Sequence, residues 1–332
     1  MKLAIIGGGS WGTALAIVLA PRSEAVALWV HETDLAGRMT SSRENDIFLP
    51  GLRLPENVQV LSDFAAALHG ADIVLGVMPS HHARGIYAAM LPHLTASMIL
   101  VSATKGLEQG SLLRISEVIE QLVRPKFAVP RVAVLSGPTF AREVAAGNPT
   151  AVVVASLNPE TARCVQEAFS GPTFRLYTNA DPAGVEVGAA LKNVIAIGAG
   201  ICEGLGLGHN PTAALITRGL AEITRLAVAM GGQQKTLAGL AGLGDLVLTC
   251  SGDSSRNRYV GKELGSGRPL REILESMRMV AEGVETCASA VALGDKFDVD
   301  LPIIQQMHAV MGGKKSPREA VRELMDRSLR SE

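Results

Sequence analysis

Cysteine is scarce and scattered in this chain. The four residues Cys164, Cys202, Cys250 and Cys287 form no C-x-x-C pair and no zinc-like cluster, so neither a disulfide framework nor a structural metal is indicated, and a reducing cytosol suits them. An excess of one charge is missing too. Thirty-one Lys and Arg against 32 Asp and Glu leave a net charge of -1, which offers no general attraction to nucleic acid or an anionic membrane; any anion site must be local. No apolar run approaches the roughly 20 residues that cross a bilayer, so no membrane span is expected. Lys2 and the following "LAIIGGGSWGTALAIVLA" imitate a secretory leader, but "GGGSWGT" interrupts the apolar region and argues against one. Repeats and low-complexity tracts are absent. The histidines, including the His81-His82 pair after "VMPS", form no metal-spaced set with carboxylates, so no metal is expected.

What is present is a chain of 332 residues, 47% of them hydrophobic, longer than one typical core supports; two domains are expected. Up to about residue 180, short aliphatic runs alternate with longer mixed segments, the pattern of βαβ units in a parallel sheet. "KLAIIG", "AVALWV", "ADIVLGVM", "SMILVSA", "RVAVLSG" and "TAVVVAS" are the clearest strands. From about Gly184 the strand signal fades, and Ala, Leu, Ile and Glu recur at helical spacing. The turn-rich "TNADPAG" marks the change, giving an α/β domain over 1–183 and a mostly α-helical domain over 184–332.

"AIIGGGSWGTALA" reads as strand, glycine turn and helix, with Gly7, Gly9 and Gly12 in the G-x-G-x-x-G spacing. One glycine makes the turn, the next lets backbone approach a pyrophosphate, and the third permits close helix packing while the helix N-terminus faces the anion. A dinucleotide site is expected there. At the end of the second strand, "ALWVHETD", an acidic residue favours the ribose hydroxyls of NAD and an arginine the phosphate of NADP. Val30 and His31 occupy that point with Glu32 next, so NAD and NADP both stay open; His31 suits adenine, ribose or phosphate contact as well as it suits a bare surface.

In "VGAALKNVIAIGAGI" Lys192 is the one charged residue among fifteen. An ammonium is rarely buried without a partner or a task, since desolvation favours the neutral amine, so Lys192 is a candidate general base; a lysine snorkelling from a packed helix is the alternative. "DSSRNR" offers a second chemistry: Ser255 can cap a helix that begins with Arg256 and Asn257, joining free amides, a hydroxyl and a guanidinium into an anion pocket.

The blocks "GGGSWGTALA", "SATKGLE", "LSGPTFAREV", "ALKNVIAIGAG", "GLGDLVLTCSGDSSRNR" and "VAEGVET", in that order over residues 7 to 286, strongly resemble the bacterial-type NAD(P)-dependent glycerol-3-phosphate dehydrogenases. The resemblance implies a Rossmann-type N-terminal domain, a helical C-terminal domain, and reversible reduction of dihydroxyacetone phosphate to sn-glycerol 3-phosphate, supplying phospholipid synthesis in the cytoplasm. It implies that Lys192 is the proton acceptor. It assigns Lys105, Gly137, Thr139, Asp245, Ser255, Arg256 and Asn257 to substrate, with Lys105 and Arg256 also meeting cofactor. It assigns Ser10, Trp11, His31, Ala141, Val280 and Glu282, with the glycine turn, to NAD or NADP. Lys105, at a strand end, is also a cation able to lower the Lys192 pKa by repulsion. Asp245 is read as holding a substrate hydroxyl, orienting Lys192 or capping a helix. Segments such as "PTAALITRGL" suit either core or a subunit interface, which leaves a homodimer open. The rival readings are another two-domain dehydrogenase of a hydroxy acid or phosphorylated sugar, and a nonenzymatic nicotinamide-binding regulator.

Overall fold

The computed structural model describes residues 1–277 and 280–328. Ten strands are described: β1 (Lys2–Ile6), β2 (Ala25–Trp29), β3 (Glu44–Asn45), β4 (Leu49–Arg53), β5 (Val58–Leu61), β6 (Ile73–Gly76), β7 (Ile99–Ser102), β8 (Arg131–Ser136), β9 (Thr150–Ala155) and β10 (Phe174–Asn179). Eight form one sheet in the order β10-β9-β8-β7-β6-β1-β2-β5, and β3 pairs with β4 apart from it. In β1 the two faces separate by alternation. Leu3 and Ile5 join a core with Leu15, Leu19 and Leu28. Ala4 and Ile6 join a second core with Tyr87, Met90 and Ile119. A sheet covered on both faces needs strands apolar at every position, and β6 and β7 are buried throughout. Each large aliphatic residue so buried contributes about 1.5–3 kcal/mol.

The expectation of a parallel sheet holds for β5, β2, β1, β6, β7 and β8 and fails at β9, which runs antiparallel to β8; β10 then pairs parallel with β9. The reason lies in the connection. The helix after β8 is only Ala141–Ala145, a rise of roughly 7.5 Å. A six-residue strand is about 20 Å long. So short a helix does not carry the chain back along the sheet, and β9 starts at the edge where β8 ends.

The described chain divides into two units. The first takes Met1–Glu108 and Leu113–Glu186; the second takes Gln109–Leu112 and the chain from Val187 onward. The second unit is helical, built on the helix Pro182–Gly204, which begins in the first. This 23-residue helix corrects the expectation of no membrane-length segment: it is long and apolar enough to cross a bilayer. Glu186 and Lys192 interrupt its runs without lowering its mean hydropathy far, and its apolar window is wholly buried in protein. Its neighbour Arg256–Gly265 lies almost backbone to backbone with it. A Cβ on Gly200 would stand 2.0 Å from the Arg258 carbonyl oxygen, and one on Gly261 would stand 1.9 Å from that of Ile197. The helix read as an anion pocket is thus seated directly on the helix that carries Lys192.

Candidate active site

The first unit presents its candidates at the carboxyl ends of β1, β2, β7 and β8. Gly7 has φ +129°, and a Cβ there would lie 2.1 Å from the Val77 carbonyl oxygen. A Cβ on Gly12 would lie 1.9 Å from the Gly7 carbonyl oxygen, so the helix Ser10–Leu19 rests on the turn itself. A Cβ on Gly9 would meet nothing within 4 Å. Gly9 is the N-cap, its carbonyl taking the Thr13 N–H at 3.0 Å. The N–H groups that follow it lack helical acceptors. Two glycines are thus demanded by protein backbone and one faces open space beside free donors, which fits a dinucleotide pyrophosphate. Trp11 packs on the core with its indole Nε1 buried and without a hydrogen-bond partner among the described residues.

The Gly7 N–H donates to the Trp29 carbonyl at 3.0 Å, and a Cβ on Gly8 would stand 2.6 Å from Val30, which fixes the end of β2 against the turn. Past buried Val30, His31 and Glu32 are exposed, the His31 ring tilted 5.8 Å from that of Trp29. Further along the sheet, Lys105 donates from Nζ to the Gly137 carbonyl and to Thr139 Oγ1, each at 3.2 Å. Gly137 sits at φ +154°, where a Cβ would come within 2.9 Å of Val152 Cα. Ala141 opens the short helix after it, half-buried.

In the second unit Lys192 is buried, and its Nζ donates to Asp245 Oδ1 at 2.5 Å and to Thr249 Oγ1 at 2.7 Å. The snorkelling alternative is therefore not what the structure holds: the head group stays inside with a fully buried carboxylate. Asp245 is not a helix cap. It is the first residue of Asp245–Ser251, capped by Gly244, and follows the π turn Leu240–Gly244, in which the Gly244 N–H reaches back to the Gly239 carbonyl. Such turns are frequent at functional sites. Thr249 donates in turn to the Asp245 carbonyl at 2.6 Å. Burial pushes the neighbouring Cys250 thiol up to about 12, despite the opposing charge of Lys192, so it stays protonated and inert.

Ser255 caps the helix Arg256–Gly265, its Oγ accepting from the Arg258 N–H at 3.2 Å. The Arg256 guanidinium donates to the Val280 carbonyl at 2.8 Å. Desolvation of the head group lowers its pKa and the charge of Glu282 opposes this, although the residue as a whole is exposed. Buried Asn257 accepts the Gly283 N–H at 3.0 Å, so it fixes the start of the helix Glu282–Phe297 beside Glu282.

Two residues escaped sequence reasoning. Thr249 completes the Lys192 cluster four residues after Asp245, one helical turn on, a spacing visible in "GDLVLT" once Asp245 is suspected. Asn45 is fully buried and donates from Nδ2 to the Gly8 carbonyl and to Thr13 Oγ1, both at 2.8 Å, while its Oδ1 accepts the Phe48 N–H at 3.0 Å. No local signal marks it, since its partners lie 37 and 32 residues away.

A mostly parallel sheet that offers backbone donors to a pyrophosphate at its first turn, joined to a helical unit holding a buried ammonium, has the parts of a two-domain nicotinamide-dependent oxidoreductase. The comparisons narrow this. Family models for the N-terminus and the C-terminus of NAD-dependent glycerol-3-phosphate dehydrogenase match residues 2–162 and 181–322, and the chain belongs to that family. It is 57% identical over 333 residues to a glycerol-3-phosphate dehydrogenase (NAD(P)+) of Koribacter versatilis, covering 100% of this chain and 98% of that one. A protein of the same name from Citrifermentans bemidjiense is 54% identical, with the same coverage. The crystal structure of a Coxiella burnetii glycerol-3-phosphate dehydrogenase superposes with a TM-score of 0.93 at 41% identity, covering 98% of this chain and 99% of the other.

Proposed function

We infer that this chain catalyses the reversible NAD(P)-dependent reduction of dihydroxyacetone phosphate to sn-glycerol 3-phosphate. The observation that carries the chemistry is Lys192 Nζ, buried between Asp245 and Thr249 in a helix otherwise almost wholly apolar. A bound reduced nicotinamide supplies hydride to the substrate C2. As charge builds on the C2 oxygen, the Lys192 ammonium donates a proton to it; in the reverse direction the neutral amine takes the hydroxyl proton back. Asp245 holds the ammonium in place for ketone reduction, and Thr249 fixes the direction of Nζ. In this reading the first unit serves the dinucleotide through Gly7, Gly9, Ser10, Trp11, Gly12 and His31, and Lys105, Gly137, Thr139 and Ala141 line the substrate and cofactor. Ser255, Arg256 and Asn257 grip the phosphate with a guanidinium and helix N-terminal amides, and Val280 and Glu282 hold Arg256 toward the cofactor. Binding the non-reacting phosphate aligns C2 for transfer.

The product is the backbone of glycerophospholipids, and we place the reaction in the cytoplasm, with no nucleic acid or membrane as partner. A homodimer, with "PTAALITRGL" as interface, is decided by sedimentation equilibrium; the helix His209–Ala229 that contains it is only partly buried. The first test of the reaction mixes the purified protein with dihydroxyacetone phosphate and reduced nicotinamide and follows loss of the reduced-nicotinamide absorbance. Rapid, phosphate-dependent oxidation is expected. Cofactor binding without turnover sinks the assignment in favour of a nonenzymatic regulator.

A further inference from the structure

Within the helical unit, the separation between the phosphate grip and the proton donor is set by how two helices pack. Pro182–Gly204 and Arg256–Gly265 meet with no side chain between them at two levels: a Cβ on Gly200 would strike the Arg258 carbonyl, and one on Gly204 would lie 2.2 Å from that of Lys262. Gly200 to Gly204 and Arg258 to Lys262 are each four residues, so the helices run in the same direction. Arg256, two residues before Arg258, is level with Gly198, six residues past Lys192. The capped end of its helix therefore points its free amides back toward the level of Lys192, over roughly 9 Å of shared axis.

Close backbone packing stops the helices approaching further, but it does not stop them sliding or parting. Glu203 opposes both motions. One of its carboxylate oxygens pairs with Arg258 Nη2 and the other with Lys262 Nζ, each at 2.8 Å. The two cations stand one helical turn apart, so a slip along the axis or a rotation breaks at least one pair. Arg258 also reaches Asp253 Oδ1 from Nη1 at 2.8 Å, and its N–H donates to Ser255 Oγ at 3.2 Å. It thus ties the loop that carries the capping serine to the helix that carries Lys192. The Asp253 end is fully exposed and adds little. The Arg258 and Glu203 side chains are only 21% and 32% exposed, and with Lys262 they form a network that holds better than an isolated surface pair.

We propose that Glu203 and Arg258 are a positioning pair that fixes the register of the phosphate grip against Lys192, and so confines turnover to carbonyl compounds with one carbon between the carbonyl carbon and the phosphate ester oxygen. Dihydroxyacetone phosphate has that spacing. Its isomer glyceraldehyde 3-phosphate has two carbons there, which carries its carbonyl past the point where Nζ and hydride converge; misplacement by about 1 Å costs on the order of 100-fold in rate. The proposal rests on the reaction assigned under the proposed function.

The test measures kcat and KM for both phosphates at saturating reduced nicotinamide, for the native protein, Glu203→Gln, Arg258→Gln, the double variant and Arg258→Lys. The native protein is expected to favour dihydroxyacetone phosphate about 100-fold in kcat/KM. Each glutamine variant is expected to lower kcat for dihydroxyacetone phosphate about tenfold with KM within about threefold, since the grip still binds but holds C2 out of line. Turnover of glyceraldehyde 3-phosphate, already out of line, changes little, so the preference falls about tenfold. The double variant is expected to be no worse than either single one, because both remove the same contact. Arg258→Lys, which keeps the charge and a fold close to native, is expected to show a smaller fall in the same ratio. A merely structural loss lowers both substrates alike; a preference that stays constant across the variants, or additive losses in the double variant, overturns the proposal and leaves the reaction standing. Equal use of the two phosphates by the native protein overturns it as well. If the native protein reduces neither, the reaction and the positioning role fail together.

Discussion

The two units build their sites from opposite materials. In the first, the glycine turn works by what is missing: Gly7 and Gly12 leave no room for a side chain, and Gly9 leaves room for a ligand. In the second, Lys192, Asp245 and Thr249 form a cluster of side chains 53 and 57 residues apart in sequence. A backbone cradle is sequence-local, tolerant of the side chains around it and specific only for an anion. A buried cluster of side chains is long-range and intolerant, since removing one member leaves the others desolvated without a partner. The first arrangement suits a reusable cofactor and the second suits chemistry at one atom.

Removing the side chain to which we assign the proton transfer separates the two most sharply. Lys192→Met is expected to lower kcat by roughly 10³-fold, within the usual range for loss of a general acid. Dissociation of NADH, measured by fluorescence titration, is expected to stay within about twofold, because the cradle contributes to cofactor binding without this residue. Normal turnover in the variant removes Lys192 from the proton-transfer role. The charge at the capped helix comes next. Arg256→Ala removes a charge-assisted contact and is expected to raise KM for dihydroxyacetone phosphate about 10- to 100-fold. Steady-state kinetics showing an unchanged KM counts against a phosphate grip there.

Asn45 tests whether the cradle is as self-sufficient as its glycines make it look. Asn45→Ala deletes three hydrogen bonds from a fully buried position and leaves the Gly8 carbonyl without its donor. Dissociation of NADH is expected to rise about tenfold while kcat at saturating NADH changes little. A fall in thermal stability with cofactor affinity unchanged reduces Asn45 to a structural role.

What could be read beforehand follows the same division. The glycine turn, the strand candidates and the onset of helix near Gly184 depend on neighbours a few residues apart, and local pattern registers them. The reversal at β9 was hidden because "TAVVVAS" reads as a buried strand in either direction; only the shortness of Ala141–Ala145 decides it. Lys192 stood out as a charge in an apolar helix, and Asp245 in "GLGDL" stood as a residue to hold substrate, orient Lys192 or cap a helix; only the fold, bringing together positions 53 residues apart, pairs the two. Sequence therefore showed which group was unusual, and the fold showed what it was paired with. Asn45 lay beyond both, a polar residue in a polar stretch whose burial depends on the chain folding back over the turn.

The smallest expected effect concerns a second buried carboxylate that is paired with backbone instead of an ammonium. Glu222 accepts the N–H groups of Ile303 and Ile304 at 2.8 and 3.2 Å, at the start of the helix Pro302–Met311. Burial pushes its carboxyl up to about 7, against the two backbone donors and Arg225. Because the folded value lies above the unfolded one, the native state holds the proton more tightly, and the stability this gives is full below the unfolded pKa of about 4.5 and is lost as pH rises through about 7. The native melting temperature is thus expected to fall between pH 5 and pH 8 by a few degrees, roughly 2–5 °C, more than that of Glu222→Gln, which keeps an acceptor but does not titrate. Parallel slopes for the two proteins in thermal melts across that range put the proton elsewhere. A steeper native slope shows that a buried carboxylate held by backbone donors lets pH reach the core.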